Sequence, residues 1–224
     1  MLTILDAIRD PSLFAPWFRD PSTWRAWFSF LSALFGLPMD PETLAIYQRH
    51  TQRKTAPLVA FLEAWLIVGR RGGKSLIAAL VAVFLAVFRD YNLVLAPGER
   101  GTVMCLAADR RQARTVLRYI RGFFDSVPML ARMVESRTAE SVHLTNRISI
   151  EVHTASFRSV RGYTIVAAIC DEIAFWRDDT TANPDAEVVS ALRPGMATVP
   201  GALLLGISSP YGTAAAGGST TRMW

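Results

Sequence analysis

The sequence predicts an α/β fold: a mostly parallel β-sheet covered by helices, preceded by a helical extension. From about residue 60 onwards, short apolar runs rich in Val and Ile alternate with helical patterns, as in parallel sheets covered on both faces. The first part of the chain is instead rich in Phe and Trp and contains repeated Asp-Pro pairs. We therefore divide the chain into an extension at 1–55, an α/β domain at 56–212 and a loop-like tail at 213–224.

The extension has clear helix-start signals. Asp-Pro pairs stand at 10–11, 20–21 and 40–41, and each predicts a helix start because Asp caps a helix and Pro fits its first position. Helices are predicted over 22–35 and 41–51. The many aromatic side chains favour packing of the extension onto its own core, with a partner surface as the alternative.

The α/β part alternates strands and helices in a regular order. Strands are predicted at 64–68, 102–107, 148–153, 165–170 and 203–207. Helices are predicted at 74–88, 110–124 and, more weakly, 186–192. The run at 141–144 would pair with 148–153 as a hairpin across Thr145-Asn146-Arg147.

A glycine-rich segment joins the first strand to the first long helix, with the sequence Val68-Gly69-Arg70-Arg71-Gly72-Gly73-Lys74-Ser75. Backbone N–H groups of such a turn and of the helix N-terminus bind phosphate oxygens. Lys74 would contact the terminal phosphates, and the Ser75 hydroxyl would bind Mg²⁺. The usual P-loop pattern has its first glycine at position 68, where this chain has Val, so a Gly/Arg-rich surface turn is the alternative.

Two later strands end in polar residues. The strand at 165–170 is followed by Asp171 and Glu172, which suits an acid that holds Mg²⁺ and a base that takes a proton from attacking water. A helix cap is the alternative interpretation. The strand at 203–207 is followed by Ser208 and Ser209, which would sense a γ-phosphate in a helicase-like motor or would simply form a turn.

Composition limits the partners and the cellular location that we expect for this chain. The net charge of +5 and pI of about 9.7 permit a polyanionic partner without demanding one. Cys105 and Cys170 lie in apolar runs and are expected to be buried free thiols. The apolar run at 76–88 is too short to span a bilayer, and the N-terminus does not resemble a signal peptide. We expect a cytoplasmic protein with no membrane partner.

Taken together, these motifs resemble the large terminase subunit of tailed bacteriophages. The similarity rests on 69–75, Cys170-Asp171-Glu172 and 206–212, and on the N-terminal segments 10–18 and 30–38. It spans almost the whole chain, and the family tolerates loss of the first P-loop glycine. The resemblance implies a P-loop ATPase of the additional-strand class that uses ATP and Mg²⁺. It would translocate double-stranded DNA into a procapsid as a homo-oligomeric ring, with a portal and a small terminase subunit as partners.

The resemblance also implies roles for particular arginines. An Arg in the P-loop contacts the phosphates in this family; Arg70 or Arg71 would match, and the spacing from Lys74 favours Arg70. A second Arg ahead of the Asp-Glu strand acts on the ATP of a neighbouring subunit, and Arg161 matches it, with Arg158 as second choice. A guanidinium suits the charge that spreads over the γ-oxygens. A solvated loop charge or a DNA phosphate contact is the alternative for Arg161.

The resemblance has two further implications, one for adenine recognition and one for nuclease activity. Family members read adenine with a glutamine upstream of the P-loop, and Gln48 or Gln52 would match. They typically have a second, RNase H-like nuclease domain, for which no sequence is present, so we expect no nuclease activity from this chain. The alternatives are a helicase-like ATPase acting on nucleic acid, or a truncated module that binds ATP or a partner without turnover.

Overall fold

The computed structural model describes residues 2–156, 160–176 and 184–210. The chain divides into two compact units whose boundary lies between Leu62 and Glu63. The predicted division at 55/56 stays a prediction. The predicted tail at 213–224 lies outside the described residues.

The first unit is helical. It contains α1 (Ile4–Arg9), α2 (Arg25–Leu34) and α3 (Pro41–Thr51), with 3-10 turns at Ala15–Trp17 and Pro21–Trp24. The predicted caps Asp20 and Asp40 are confirmed, since their side chains accept hydrogen bonds from Ser22 N and Thr43 N. The predicted helix start at Asp10 is wrong. Asp10 ends α1 and accepts a 2.7 Å hydrogen bond from Ser12 N, so the Asp10-Pro11 pair begins a turn.

The second unit is built on a seven-stranded sheet with the order β1-β7-β6-β2-β5-β4-β3. The strands are β1 (Glu63–Ile67), β2 (Gly101–Ala107), β3 (Val134–Arg137), β4 (Ser141–Leu144), β5 (Ile148–Thr154), β6 (Thr164–Asp171) and β7 (Leu203–Ser208). The neighbouring strands β1, β7, β6, β2 and β5 pair in parallel. Strand β4 pairs antiparallel with both β5 and β3. The five predicted strands and the predicted hairpin are confirmed. The sequence did not predict β3, because its residues are mostly exposed and lack apolar alternation.

Helices cover this sheet. They are α4 (Lys74–Phe88), α5 (Arg110–Ser126), α6 (Pro128–Ala131) and α7 (Pro184–Met196), with a 3-10 turn at Ile173–Phe175. Eleven of the fifteen residues of α4 are buried, as its continuous apolar run predicts. Cys105 and Cys170 are buried free thiols, as predicted, and burial raises the pKa of each. Within the described part of the chain, no helix combines the length and the apolar character needed to cross a membrane.

The strand order places the candidate motifs side by side. Strand β7 lies between β1, which precedes the P-loop, and β6, which ends at Asp171. The register pairs Ile67 with Ser208 and Ile207 with Asp171. Because parallel strands end at the same edge of a sheet, three polar segments far apart in sequence meet at one place.

Candidate nucleotide-binding site

The P-loop turn is held by its own backbone. Val68 N donates to Ser208 O over 2.9 Å, and Gly72 N donates to Gly69 O over 3.2 Å. Arg71 and Gly73 have φ values of 63° and 82°, in the left-handed region. A Cβ at position 72 would lie 2.6 Å from Val68 Cγ1, so glycine at 72 makes room for the valine that replaces the usual glycine.

Lys74 is the cation at the centre of the site, and it is only 8% exposed. Its Nζ donates to Ser209 Oγ at 2.8 Å, to Val68 O at 3.2 Å and to Gly69 O at 3.4 Å. Nζ also lies 3.3 Å from Glu172 Oε1. The predicted phosphate-binding lysine is therefore held within the site by the predicted base and by a predicted coupling serine.

Glu172 has an unusual backbone and a fixed side chain. Its φ of 53° and ψ of 42° place it in the left-handed region, which costs a residue with a Cβ about 1–2 kcal/mol. Its carboxylate accepts hydrogen bonds from Ser209 N at 2.8 Å and from Ser209 Oγ at 2.9 Å. The strained turn and the two bonds together direct the carboxylate towards the P-loop.

Asp171 is buried beside Ser75. Its Oδ2 lies 3.5 Å from Ser75 Oγ, at the limit of a hydrogen bond, and its buried Oδ1 has no partner among the described residues. Burial, together with the charge of Glu172, raises the pKa of Asp171 to about 6. A hydroxyl next to a carboxylate with an unsatisfied oxygen fits Mg²⁺, which binds through one or two protein oxygens plus substrate phosphates.

The predicted arginines have different surroundings. Arg70 and Arg71 are exposed in the P-loop turn. Arg161 is also exposed and lines an open cleft with residues of α7, including Glu187 and Ser190. Arg158 lies outside the described residues. All four roles stay predictions.

The two glutamines proposed to read adenine lie in the first unit. Gln48 Nε2 donates to Lys54 O at 2.7 Å, and Gln52 Nε2 donates to Arg49 O at 3.1 Å. Gln52 ends α3 in a left-handed conformation. Both amides thus stabilise the end of a helix, and adenine recognition stays a prediction.

The structure adds contacts that sequence reasoning missed. Trp176 Nε1 donates to Asp171 O at 3.1 Å, and Ser208 Oγ accepts from Ala174 N at 3.2 Å. The first bond closes the turn after β6, and the second holds that turn against β7. The contact between Ser209 and Glu172 was also missed, because nothing in either local sequence indicates that the two strand ends are adjacent.

Known proteins place these features in context. The family model described as terminase large subunit, ATPase domain, matches residues 49–208. The large terminase of bacteriophage HK97 is similar in structure, with a TM-score of 0.51 and 19% identity over 83% of this chain and 37% of that chain. This chain therefore spans well under two thirds of that relative's length. No curated protein sequence matches the chain.

Two structures of the Thermus phage P74-26 large terminase ATPase domain are also similar. A mutant form has a TM-score of 0.52 and 18% identity, covering 82% of this chain and 70% of that chain. A second structure has a TM-score of 0.50 and 21% identity, covering 82% of this chain and 69% of that chain. At these identities the likeness supports the fold alone.

Proposed function

Since this chain belongs to the family of terminase large subunit ATPase domains, we propose that it hydrolyses ATP to drive double-stranded DNA into a phage procapsid. The observation that supports this most directly is the meeting of Lys74, Ser75, Asp171 and Glu172 at one sheet edge. An ammonium, a hydroxyl and two carboxylates at the mouth of a P-loop are the groups that phosphoryl transfer to water requires.

Binding would begin at the P-loop. Backbone N–H groups from Gly69 to Ser75, with Lys74 Nζ, would surround the β- and γ-phosphates. Incoming phosphate oxygens would compete with Glu172 and Ser209 for Lys74, because both of these residues lie within reach of Nζ. Nucleotide binding would therefore weaken the ion pair between Lys74 and Glu172. Gln48 is the proposed contact to adenine.

Hydrolysis would use Glu172 as the base. Its carboxylate would accept a proton from the attacking water as the water oxygen bonds to the γ-phosphorus and the bond to the β–γ bridging oxygen breaks. Ser75 and Asp171 would hold Mg²⁺, which would neutralise charge on the phosphate oxygens. Ser208 and Ser209 lie between the base and the P-loop and would transmit the state of the nucleotide to β7.

Arginines would complete the site. Arg70, with Arg71 beside it, would contact phosphate oxygens within the subunit, and Arg161 would act on the ATP of a neighbour in a homo-oligomeric ring. The portal, the small terminase subunit and double-stranded DNA are the proposed partners, and the host cytoplasm is the proposed location. The family match supports these partners in general.

ATP hydrolysis by purified variants tests the proposal. We expect Glu172→Gln to bind ATP but to hydrolyse it about 10²–10⁴-fold more slowly, and we expect Lys74→Ala to lose ATP binding. The matched controls are Glu140→Gln and Lys54→Ala, at two exposed positions. ATP binding without turnover by the wild type, at any protein concentration and with DNA present, would reject the ATPase in favour of a nucleotide-binding module.

A further inference from the structure

Helix α5 presents a row of arginines on one face. The row consists of Arg110, Arg111, Arg114, Arg118 and Arg121. At 100° per residue these five positions fall within an arc of about 100°. We call this surface the arginine face.

Packing of the helix fixes the direction of the arginine face. The apolar residues of α5 are buried, namely Ala113, Val116, Leu117, Ile120, Phe123 and Phe124. The centre of this buried stripe lies about 130° around the helix from the centre of the arginine arc. Four of the arginines are exposed and Arg121 is partly buried. The face is therefore turned away from the sheet, towards solvent.

Within the described part of the chain, most charges of the arginine face are not neutralised by ion pairs. Among the described residues, Arg110, Arg111, Arg114 and Arg118 make no ion pair and no side-chain hydrogen bond, whereas Arg121 donates to Thr138 O.

The acids near this surface leave the four exposed arginines unpaired. Asp125 pairs with Arg137 at 2.7 Å, and Asp109 caps the helix through Gln112 N. Glu140 lines a small pocket with Arg110 and Arg114. The four exposed charges thus remain available to an external anion.

We infer that the arginine face binds the phosphate backbone of double-stranded DNA, the partner that the proposed function requires. Its length, from Arg110 to Arg121, is about 17 Å. A DNA duplex has one phosphate per about 1.7 Å of axis, so a row of this length spans about ten phosphates when it lies along the duplex. Contacts to phosphate alone do not read sequence, which suits a motor that moves along any DNA.

The arginine face begins at the sheet edge that carries the candidate nucleotide-binding site. Helix α5 follows β2, and β2 pairs directly with β6, placing Leu106 opposite Cys170. Asp171 and Glu172 follow at the end of β6, so Arg110 starts from the same edge of the sheet as the catalytic carboxylates. DNA held on α5 would therefore lie on an element anchored beside the site of hydrolysis.

Fluorescence anisotropy with a short random-sequence duplex, across about 50–200 mM salt, tests the inference. The double variant Arg114→Gln/Arg118→Gln should bind at least about tenfold more weakly, with a salt slope lower by about 2. The charge-retaining variant Arg114→Lys/Arg118→Lys should keep most of the affinity and slope. The control Arg19→Gln/Arg132→Gln removes the same charge at exposed positions elsewhere and should change the slope little.

The outcomes separate this inference from the proposed function. ATP hydrolysis without DNA should be unchanged in the α5 variant, which also shows that the protein is folded. If the wild type binds DNA and the α5 variant binds equally well, the arginine face is not the DNA surface, although the ATPase stands. If the wild type hydrolyses ATP but binds no DNA, this inference fails. If sedimentation shows altered self-association while DNA binding is unchanged, the face contacts a second copy and the inference is again wrong.

Discussion

Glu172 illustrates how much of the site depends on single residues. Its left-handed backbone is energetically unfavourable, and two hydrogen bonds from Ser209 hold its carboxylate. Strained residues of this kind persist where the surrounding structure determines them, often at catalytic sites. Ser209 is thus best described as a positioning residue for the proposed base.

Replacing Ser209 tests that description. Ser209→Ala removes one of the two bonds to Glu172, and we expect kcat to fall by about 10–10²-fold, since a hydrogen bond to a charged group contributes about 1.5–3 kcal/mol. Ser209→Thr keeps the hydroxyl and should recover most of the rate. The comparison variant is Ser208→Ala, whose Oγ contacts Ala174 N and not Glu172. A larger loss in Ser208→Ala than in Ser209→Ala would contradict the assignment.

Asp171 should show a conflict between stability and function. Burial raises the pKa of Asp171 to about 6 from 3.8, so the folded protein holds the proton more tightly than the unfolded chain. Wild-type stability contributed by this group therefore falls as the pH rises through that window. Asp171→Asn removes the buried charge and should unfold in urea with about 1–3 kcal/mol more stability near neutral pH, without nucleotide or Mg²⁺.

Two observations check the Asp171 prediction. The stability difference should disappear well below pH 3.8, where the wild-type carboxyl is neutral in both the folded and the unfolded states. Hydrolysis should be lost at every pH, because the neutral amide lacks the carboxylate charge through which proteins usually bind Mg²⁺. An Asn variant that is less stable than wild type near neutral pH would show that the carboxylate has a stabilising partner.

At the scale of elements, the P-loop turn accommodates a valine in place of its usual first glycine. Val68 occupies the position of the usual first glycine, and the missing Cβ at Gly72 accommodates its side chain. The strand still ends in register, because Val68 N donates to Ser208 O. Backbone bonds determine the turn, so the first glycine is dispensable where a later glycine provides the space.

Adding a Cβ at position 72 should therefore destabilise the turn. We expect Gly72→Ala to lower the free energy of unfolding by about 1–3 kcal/mol through overpacking. The matched control is Gly69→Ala, where a Cβ meets nothing within 4 Å. The double variant Val68→Gly/Gly72→Ala should recover part of the loss in a urea titration. Equal losses in the two single variants would contradict the packing argument.

At the scale of the whole molecule, the proposed site is incomplete in one subunit. The described residues bring Lys74, the proposed base and the proposed magnesium ligands together, whereas Arg161 lies on a cleft beside α7. An arginine supplied by a neighbour contributes about 10³–10⁵-fold in rate. We therefore expect hydrolysis per subunit to rise with protein concentration.

Mixing variants tests the supply of Arg161 between subunits. Arg161→Ala and Glu172→Gln should each be nearly inactive, yet a mixture should recover activity, because some sites then combine an intact Glu172 with a neighbour's Arg161. In the control, Lys74→Ala/Arg161→Ala replaces the first variant and should give no recovery. If the first mixture stays inactive although the subunits assemble, Arg161 does not act between subunits.

The sequence by itself determined most of the strands, the longer helices and the motifs. Apolar runs ending in Gly-Lys-Ser and Asp-Glu predicted β1, α4 and β6 to within a residue or two, because local periodicity and turn chemistry encode such elements. The prediction failed at Asp10, where a local hydrogen bond competes with helix formation. It also missed β3, whose pairing with β4 supplies what its residues do not.

Only the tertiary structure decided which groups touch. The contacts of Ser209 with Glu172 and Lys74, and the unsatisfied oxygen of Asp171, depend on β7 lying between β1 and β6. The left-handed conformation of Glu172 likewise has no signal in its neighbours along the chain. The physical reason is that sheet order and side-chain burial are properties of long-range packing, whereas helices, strands and turns follow largely from near neighbours in the sequence.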